Sequence, residues 1–125
     1  MLPTDLSARF AIPELPYGSV WLVGAVDHPR HLSPLAVHAL CSADAVIHDP
    51  GIAREILDLV QPPRYREVAP PKQSIERAIR LAEDGWRVVQ LVDGEVMKRA
   101  VQSATRTAER NIPFCVVPNA GGNLA

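Results

Sequence analysis

The sequence predicts an α/β fold of three layers, α/β/α, with a mostly parallel five-stranded sheet and about four helices. Three observations lead there. Short apolar runs with β-branched and aromatic content alternate with stretches of helical period, the signature of a largely parallel sheet with helices on both faces. The first run, GSVWLVGA, is apolar throughout instead of alternating, as a strand buried on both sides must be. The 12 prolines among 125 residues fall between the apolar segments, where they punctuate the chain without forbidding its folding.

Residues 1–17, with Pro3, Pro13 and Pro16, follow neither period and are read as an extended arm packed on the body through Phe10, Ile12 and Leu15. The α/β domain is expected to occupy 18–125. GSVWLVGA is its first strand, bounded by Gly18 and Gly24. In SPLAVHALCSAD, Ser33 is placed to cap a helix that has Pro34 at its first position. AVIHD is the second strand, and Pro50-Gly51 turns it into a helix from about Arg54 to Val60 that Pro62-Pro63 stops. RYREV is a short third strand. In SIERAIRLAEDG the apolar positions Ile75, Ala78, Ile79 and Ala82 follow helical spacing, with Ser74 as the expected cap, Gly85 as the stop and Glu76–Arg80 as an i,i+4 pair. RVVQLV, from Arg87, is the fourth strand. A helix over Met97–Arg110 is expected to bury Met97, Ala100, Val101, Ala104 and Ala108 and to end at Asn111; FCVVP is the fifth strand.

Composition removes several function classes. Thirteen Lys and Arg against 14 Asp and Glu leave no basic surplus for nucleic acid and no acidic tail. No apolar run reaches the length of a membrane span, and Arg9 with the early prolines spoils a signal-peptide reading. Cys41 and Cys115 lack metal-type spacing and are read as reduced core thiols of a cytoplasmic protein.

In a parallel sheet, ligand loops lie at the carboxyl ends of the strands. Here those ends are GAVDHPRH, HDPG, VDGEV and VPNAGG. Asp93-Gly94-Glu95 could receive a ligand's amino or hydroxyl groups, and the alternative is a solvated turn with acids favoured near a helix N-terminus. Gly94 is expected at positive φ. His28, His31 and His48 are read as surface imidazoles, since HPRH lies in a loop and not on a fixed helical face; no metal site is predicted. His28 and Asp49 are the only candidates for acid–base chemistry, and Asp49 is more simply a cap of the Pro50-Gly51 turn. GGNLA has no following helix and is no phosphate loop.

GSVWLVGA, LSPLAVHALCSADAVIHD, GWRVVQL and NIPFCVVP, in that order, resemble the N-terminal domain of the tetrapyrrole methylases, the uroporphyrinogen III and precorrin methyltransferases that use S-adenosylmethionine. The resemblance runs from Gly18 to about Asn119. It implies this fold, S-adenosylmethionine as cofactor, a tetrapyrrole small molecule as acceptor, and a cleft whose other wall is a second α/β domain. By resemblance, Gly24, Ala25 and Pro29 of the first loop and Val92, Asp93, Gly94, Glu95 and Val96 of the fourth are the cofactor-binding positions. The family's first loop is of GAGPGDP type; GAVDHPRH is one residue shorter, lacks the second and third glycines and has His28 nearest the acid. Its later loop is of GGDPFVF type; here Gly94 is kept, Glu95-Val96 stands for Asp-Pro, and the following glycines are absent. The family's Pro-Gly after strand five is Pro118-Asn119. The resemblance therefore implies a methyltransferase scaffold with weak or lost catalysis in the isolated chain. A non-catalytic ligand- or partner-binding module and an incomplete chain remain open beside it, and a homo-oligomer or a partner protein is expected to cover the bare end of the sheet.

Overall fold

A computed structural model describes residues 15–59 and 65–118. Five strands, β1 (Ser19–Gly24), β2 (Ala45–His48), β3 (Tyr65–Val68), β4 (Arg87–Val92) and β5 (Phe114–Val117), form one sheet in the order β3-β2-β4-β1-β5. Every pairing is parallel, with Ser19 beside Arg87, Val20 beside Phe114 and Ala45 beside both Val88 and Tyr65. The expected α/β sheet is thus found, wholly parallel. The crossovers carry α1 (Pro34–Ser42), α2 (Arg54–Leu57), α3 (Pro71–Glu83) and α4 (Val96–Glu109).

Alternate residues of the strands feed two apolar layers. Trp21, Val23, Val46, Val89 and Leu91 pack against Ala36, Ala39 and Leu40 of α1 and Ile56 of α2, and Leu15 of the expected arm joins this layer. Val20, Ile47 and Val88 pack against Ile75, Ala78, Ile79 and Ala82 of α3, while Leu22 and Val92 meet Ala100 of α4. Phe10, Ile12, Val60, Pro62, Pro63, Asn119 and the GGNLA stretch lie outside the described residues.

The helix termini follow their chemistry. The Ser33 hydroxyl accepts from the Ala36 N–H at 3.1 Å, so its predicted cap holds, and it donates to the Pro118 carbonyl at 2.6 Å. Gly85 ends α3 at φ +94° and Asn111 ends α4 at φ +59°, each at the left-handed position of a helix stop.

Four expectations need correction. First, α3 begins at Pro71 and not at Ser74, because Pro71 at its first position opens the helix. Ser74 therefore lies inside α3, buried, accepting from the Gln90 amide at 3.1 Å. Second, Glu76 pairs with Arg106 of α4, not with Arg80. Third, Cys41 is exposed, not a core thiol; Cys115 is half-buried, and burial raises its pKa. Fourth, α4 buries Arg99, Ala100, Ser103 and Thr107, while Met97, Val101, Ala104 and Ala108 are exposed. The observed set has the expected spacing shifted by about one residue, or roughly 100° of rotation.

Polar groups explain that rotation. The Ser103 hydroxyl donates to Gln90 Oε1 at 2.8 Å, and Arg99 reaches Asp49 at the end of β2. Gln90 is 1% exposed in the middle of β4, so its amide needs partners from α3 and α4. Satisfying buried polar atoms outweighs covering Met97 and Val101.

Candidate functional site

The carboxyl ends of β1, β2 and β4 come together on one edge of the sheet. The Ala25 N–H donates to the Val92 carbonyl at 2.7 Å, and the Asp49 N–H to the Leu91 carbonyl at 3.1 Å, so the three chain ends are stitched before any side chain contributes.

Asp49 is the electrostatic centre of this edge. Arg99, one turn into α4, grips it in a fork: Nη1 to Oδ2 at 2.7 Å and Nη2 to Oδ1 at 2.9 Å. The Asp93 N–H donates to the same Oδ2 at 2.8 Å. The side chains of Asp49 and Arg99 are 4% and 8% exposed. Three of about four acceptor positions on the carboxylate are thus filled by protein donors. The Asp49 carboxylate thus ties the fourth-strand loop to α4, and neither of its oxygens bonds the Pro50-Gly51 turn that it was expected to cap. Its neighbour His48, expected as a surface imidazole, is instead buried, with its Nδ1 against the Asp49 carbonyl at 2.9 Å.

The loop held by Asp49 is contorted. Gly94 has φ +90°, as expected, and Glu95 follows at φ +48°, ψ +42°. Left-handed geometry costs a residue with a Cβ on the order of 1–2 kcal/mol. Glu95 makes no capping bond from its side chain to α4 in return. A Cβ built on Gly94 would meet no heavy atom within 4 Å, so the backbone at Gly94 is open to close approach.

The first loop behaves differently. A Cβ on Gly24 would lie 2.9 Å from Val96 Cγ2. The recess that a glycine leaves is filled by the chain's own valine. Beyond it, His28 accepts from the Arg30 N–H at 3.2 Å and caps a single 3-10 turn, Pro29–His31, while His31 bonds Asp27 at 2.8 Å. That bond, chiefly, holds the Asp27 carboxyl below its ordinary range.

Of the eight positions assigned to a cofactor, Asp93, Gly94 and Glu95 are exposed at the edge, and Ala25 and Pro29 are half-buried nearby. Gly24 and Val92 are buried; Val92 packs with Leu22 and Ala100 under α4, and Val96 joins them. His28 stands in the first loop, where its Nδ1 accepts from the Arg30 N–H of its own turn. Among the described residues no three His, Cys, Asp or Glu side chains cluster to hold a metal, and no helix is long and apolar enough to cross a membrane. Sequence reasoning missed Arg99, which no period announces because its partner is 50 residues away. Gln90 carried a usable signal: a lone amide inside an apolar strand demands polar groups on the helices facing it.

No family model matches the sequence. The chain is 35% identical over 119 residues to a uroporphyrinogen-III C-methyltransferase of Sinorhizobium, covering 86% of this chain and 42% of the relative. It is 32% identical over 120 residues to the siroheme synthase of Nitrosomonas eutropha, covering 86% of this chain and 25% of that protein. Among solved structures, a uroporphyrin-III C-methyltransferase from Thermus thermophilus superposes with a TM-score of 0.71 at 32% identity, over 81% of this chain and 47% of its own. A cobalt precorrin-4 methyltransferase shares the fold at 13% identity, with a TM-score of 0.69. The chain thus spans less than half the length of each of these relatives.

Proposed function

We propose that this chain, which matches the N-terminal part of the uroporphyrinogen-III and precorrin methyltransferases, supplies one wall of a methyl-transfer cleft and does not turn over alone. The observation that carries the reading is the fourth-strand loop: Gly94 and Glu95 both left-handed, open at the edge of the sheet, and fixed from below by Asp49 and Arg99. Backbone strain of this kind persists where the surroundings over-determine it, and such places cluster at ligand sites.

The proposed ligand is S-adenosylmethionine, whose bound sulfonium supplies the methyl group, and the proposed acceptor is a tetrapyrrole. The residues present fit the cofactor at the fourth-strand loop and not at the first. Gly94 offers open backbone, and Asp93 and Glu95 offer two exposed carboxylates that suit the ammonium of the cofactor's amino acid end. At β1, Val96 occupies the space beside Gly24, and Asp27 and His28 stand where glycines would let the backbone approach. In this reading Ala25 and Pro29 border the ligand, whereas Gly24, Val92 and Val96 shape the floor beneath it.

Methyl transfer depends on holding donor and acceptor in line at about 3–3.5 Å, which needs an opposing wall. That wall is proposed to come from a further polypeptide segment, a second copy or a partner protein. Calorimetric titration with S-adenosylmethionine and S-adenosylhomocysteine tests the binding, and transfer of labelled methyl to uroporphyrinogen III tests the chemistry. Weak binding abolished by Gly94→Val, with no turnover by the isolated chain, is expected. Absence of binding to either ligand sinks the cleft-wall reading, and turnover matching an intact methyltransferase sinks the claim that one wall is insufficient.

A further inference from the structure

We propose that the groove between α3 and α4 is a second binding site, for a small polycarboxylate with an apolar body. The groove encloses about 630 Å3 on the α3/α4 face of the sheet, distinct from the loops 25–31 and 93–95. Its walls bring Pro71, Ile75 and Val101 together with the side chains of Lys72, Lys98 and Gln102.

Charge bookkeeping singles this groove out. Its two arginines are engaged: Arg99 with Asp49, and Arg106 with Glu76 and Glu109. Asp49, Glu76 and Glu109 are held in those pairs, and Glu95, one turn before Lys98, forms no ion pair with it. Lys72 and Lys98 have no hydrogen-bond or ion-pair partner among the described residues, so two positive charges face the cavity uncompensated. In a chain of net charge −1 this is a local surplus and not an overall tendency. Each lysine also stands in the first turn of its helix; α3 has no acidic residue at its start, whereas α4 has Glu95 at its cap. A cation there opposes the helix dipole, an arrangement that an anion in the groove would relieve.

The apolar part selects among anions. Val101 is 63% exposed and flanks the lysines, so a ligand carrying hydrocarbon or a ring gains contact that a compact inorganic ion cannot make. Two ammonium groups on opposite walls favour two carboxylates on one body. This inference stands apart from the methyl-transfer reading and survives its failure.

The test is a titration of the full chain with benzene-1,3,5-tricarboxylate, followed by amide chemical shifts, with inorganic phosphate as the compact comparison. Saturable shifts confined to residues 71–75 and 98–105 are expected, with phosphate binding more weakly. Lys72→Gln with Lys98→Gln should weaken binding by about tenfold or more, the loss expected of two charge-assisted contacts. Arg54→Gln with Arg80→Gln removes equal charge away from the groove and should leave affinity unchanged. Val101→Glu, a surface change that keeps both lysines, should also abolish binding. Shifts scattered over the surface, or equal loss in both double variants, overturn the proposal; phosphate binding as tightly as the tricarboxylate overturns its apolar part.

Discussion

Asp49 and Arg99 show how one residue pair can set a site's shape without adding much stability. Burying two charges costs several kcal/mol per ion, and their attraction roughly offsets it, so the pair specifies geometry more than it stabilises. Removing one partner is another matter. Arg99→Met should lower stability by about 3–5 kcal/mol, because Asp49 would remain buried without its counter-charge. Equilibrium denaturation reads this directly, and a loss below about 1 kcal/mol would mean that the pair is not formed in solution. At Gly94 the cost lies in the backbone alone, since space is open around it. Gly94→Ala should destabilise by about 1 kcal/mol. Glu67, at 20% side-chain exposure, is gripped by Arg77 in two bonds of 2.7 Å and accepts from the Tyr65 hydroxyl at 2.6 Å. Arg77 chiefly, then Tyr65, lower the Glu67 pKa from 4.5 to about 2. A lowered pKa stabilises the fold where the unfolded carboxyl is ionised too, so the contribution is full above about pH 4.5 and fades as pH falls toward about 2. Because Arg77 is 37% exposed, solvent screens the pair. Glu67→Gln should therefore cost only about 0.5–1 kcal/mol at pH 7, and the gap between variant and parent should close in the acid range.

Among the elements, α4 departs furthest from its period. Apolar spacing alone puts Met97 and Val101 inward, yet Met97 is 73% exposed. Two anchors, Ser103 on Gln90 and Arg99 on Asp49, turn the helix by about one residue's worth of rotation. The sequence contains both faces at identical spacing, and only the polar demands of β2 and β4 choose between them. The entry to α4 shows a similar choice between β1 and a ligand. Gly24→Ala should destabilise by about 1–3 kcal/mol through overpacking against Val96, a strain that Val96→Ala should relieve. A double-mutant cycle by urea denaturation checks this coupling; additive effects would show that Val96 does not fill the Gly24 recess. By contrast, α1, the stops at Gly85 and Asn111 and all five strands were legible from local chemistry. Caps, left-handed stops and apolar runs act within a few residues and leave their mark in the sequence.

For the molecule as a whole, both apolar layers share the central strands β1, β4 and β2, so neither face can open without baring the sheet. The described residues should unfold as one unit. Trp21 is 5% exposed in the α1 layer, while α3 and α4 lie on the other side. Tryptophan fluorescence, from Trp21 and Trp86, and far-ultraviolet circular dichroism should therefore report coincident transitions. Separated midpoints would mean that the two layers fail independently.

Legible in the amino-acid order were the parallel α/β/α arrangement, the helix stops, the positive φ of Gly94 and the similarity of the chain to part of the uroporphyrinogen-III methyltransferases. These rest on short-range sterics, on period, or on ordered stretches of similar residues. Tertiary structure alone decided that α3 begins at Pro71, that α4 turns Arg99 and Ser103 inward, that Asp49 is bound by a helix 50 residues away, and that Val96 fills the space Gly24 leaves. Each of these is a contact between residues far apart in the chain. Its energy depends on desolvation and fit in three dimensions, which no local pattern encodes.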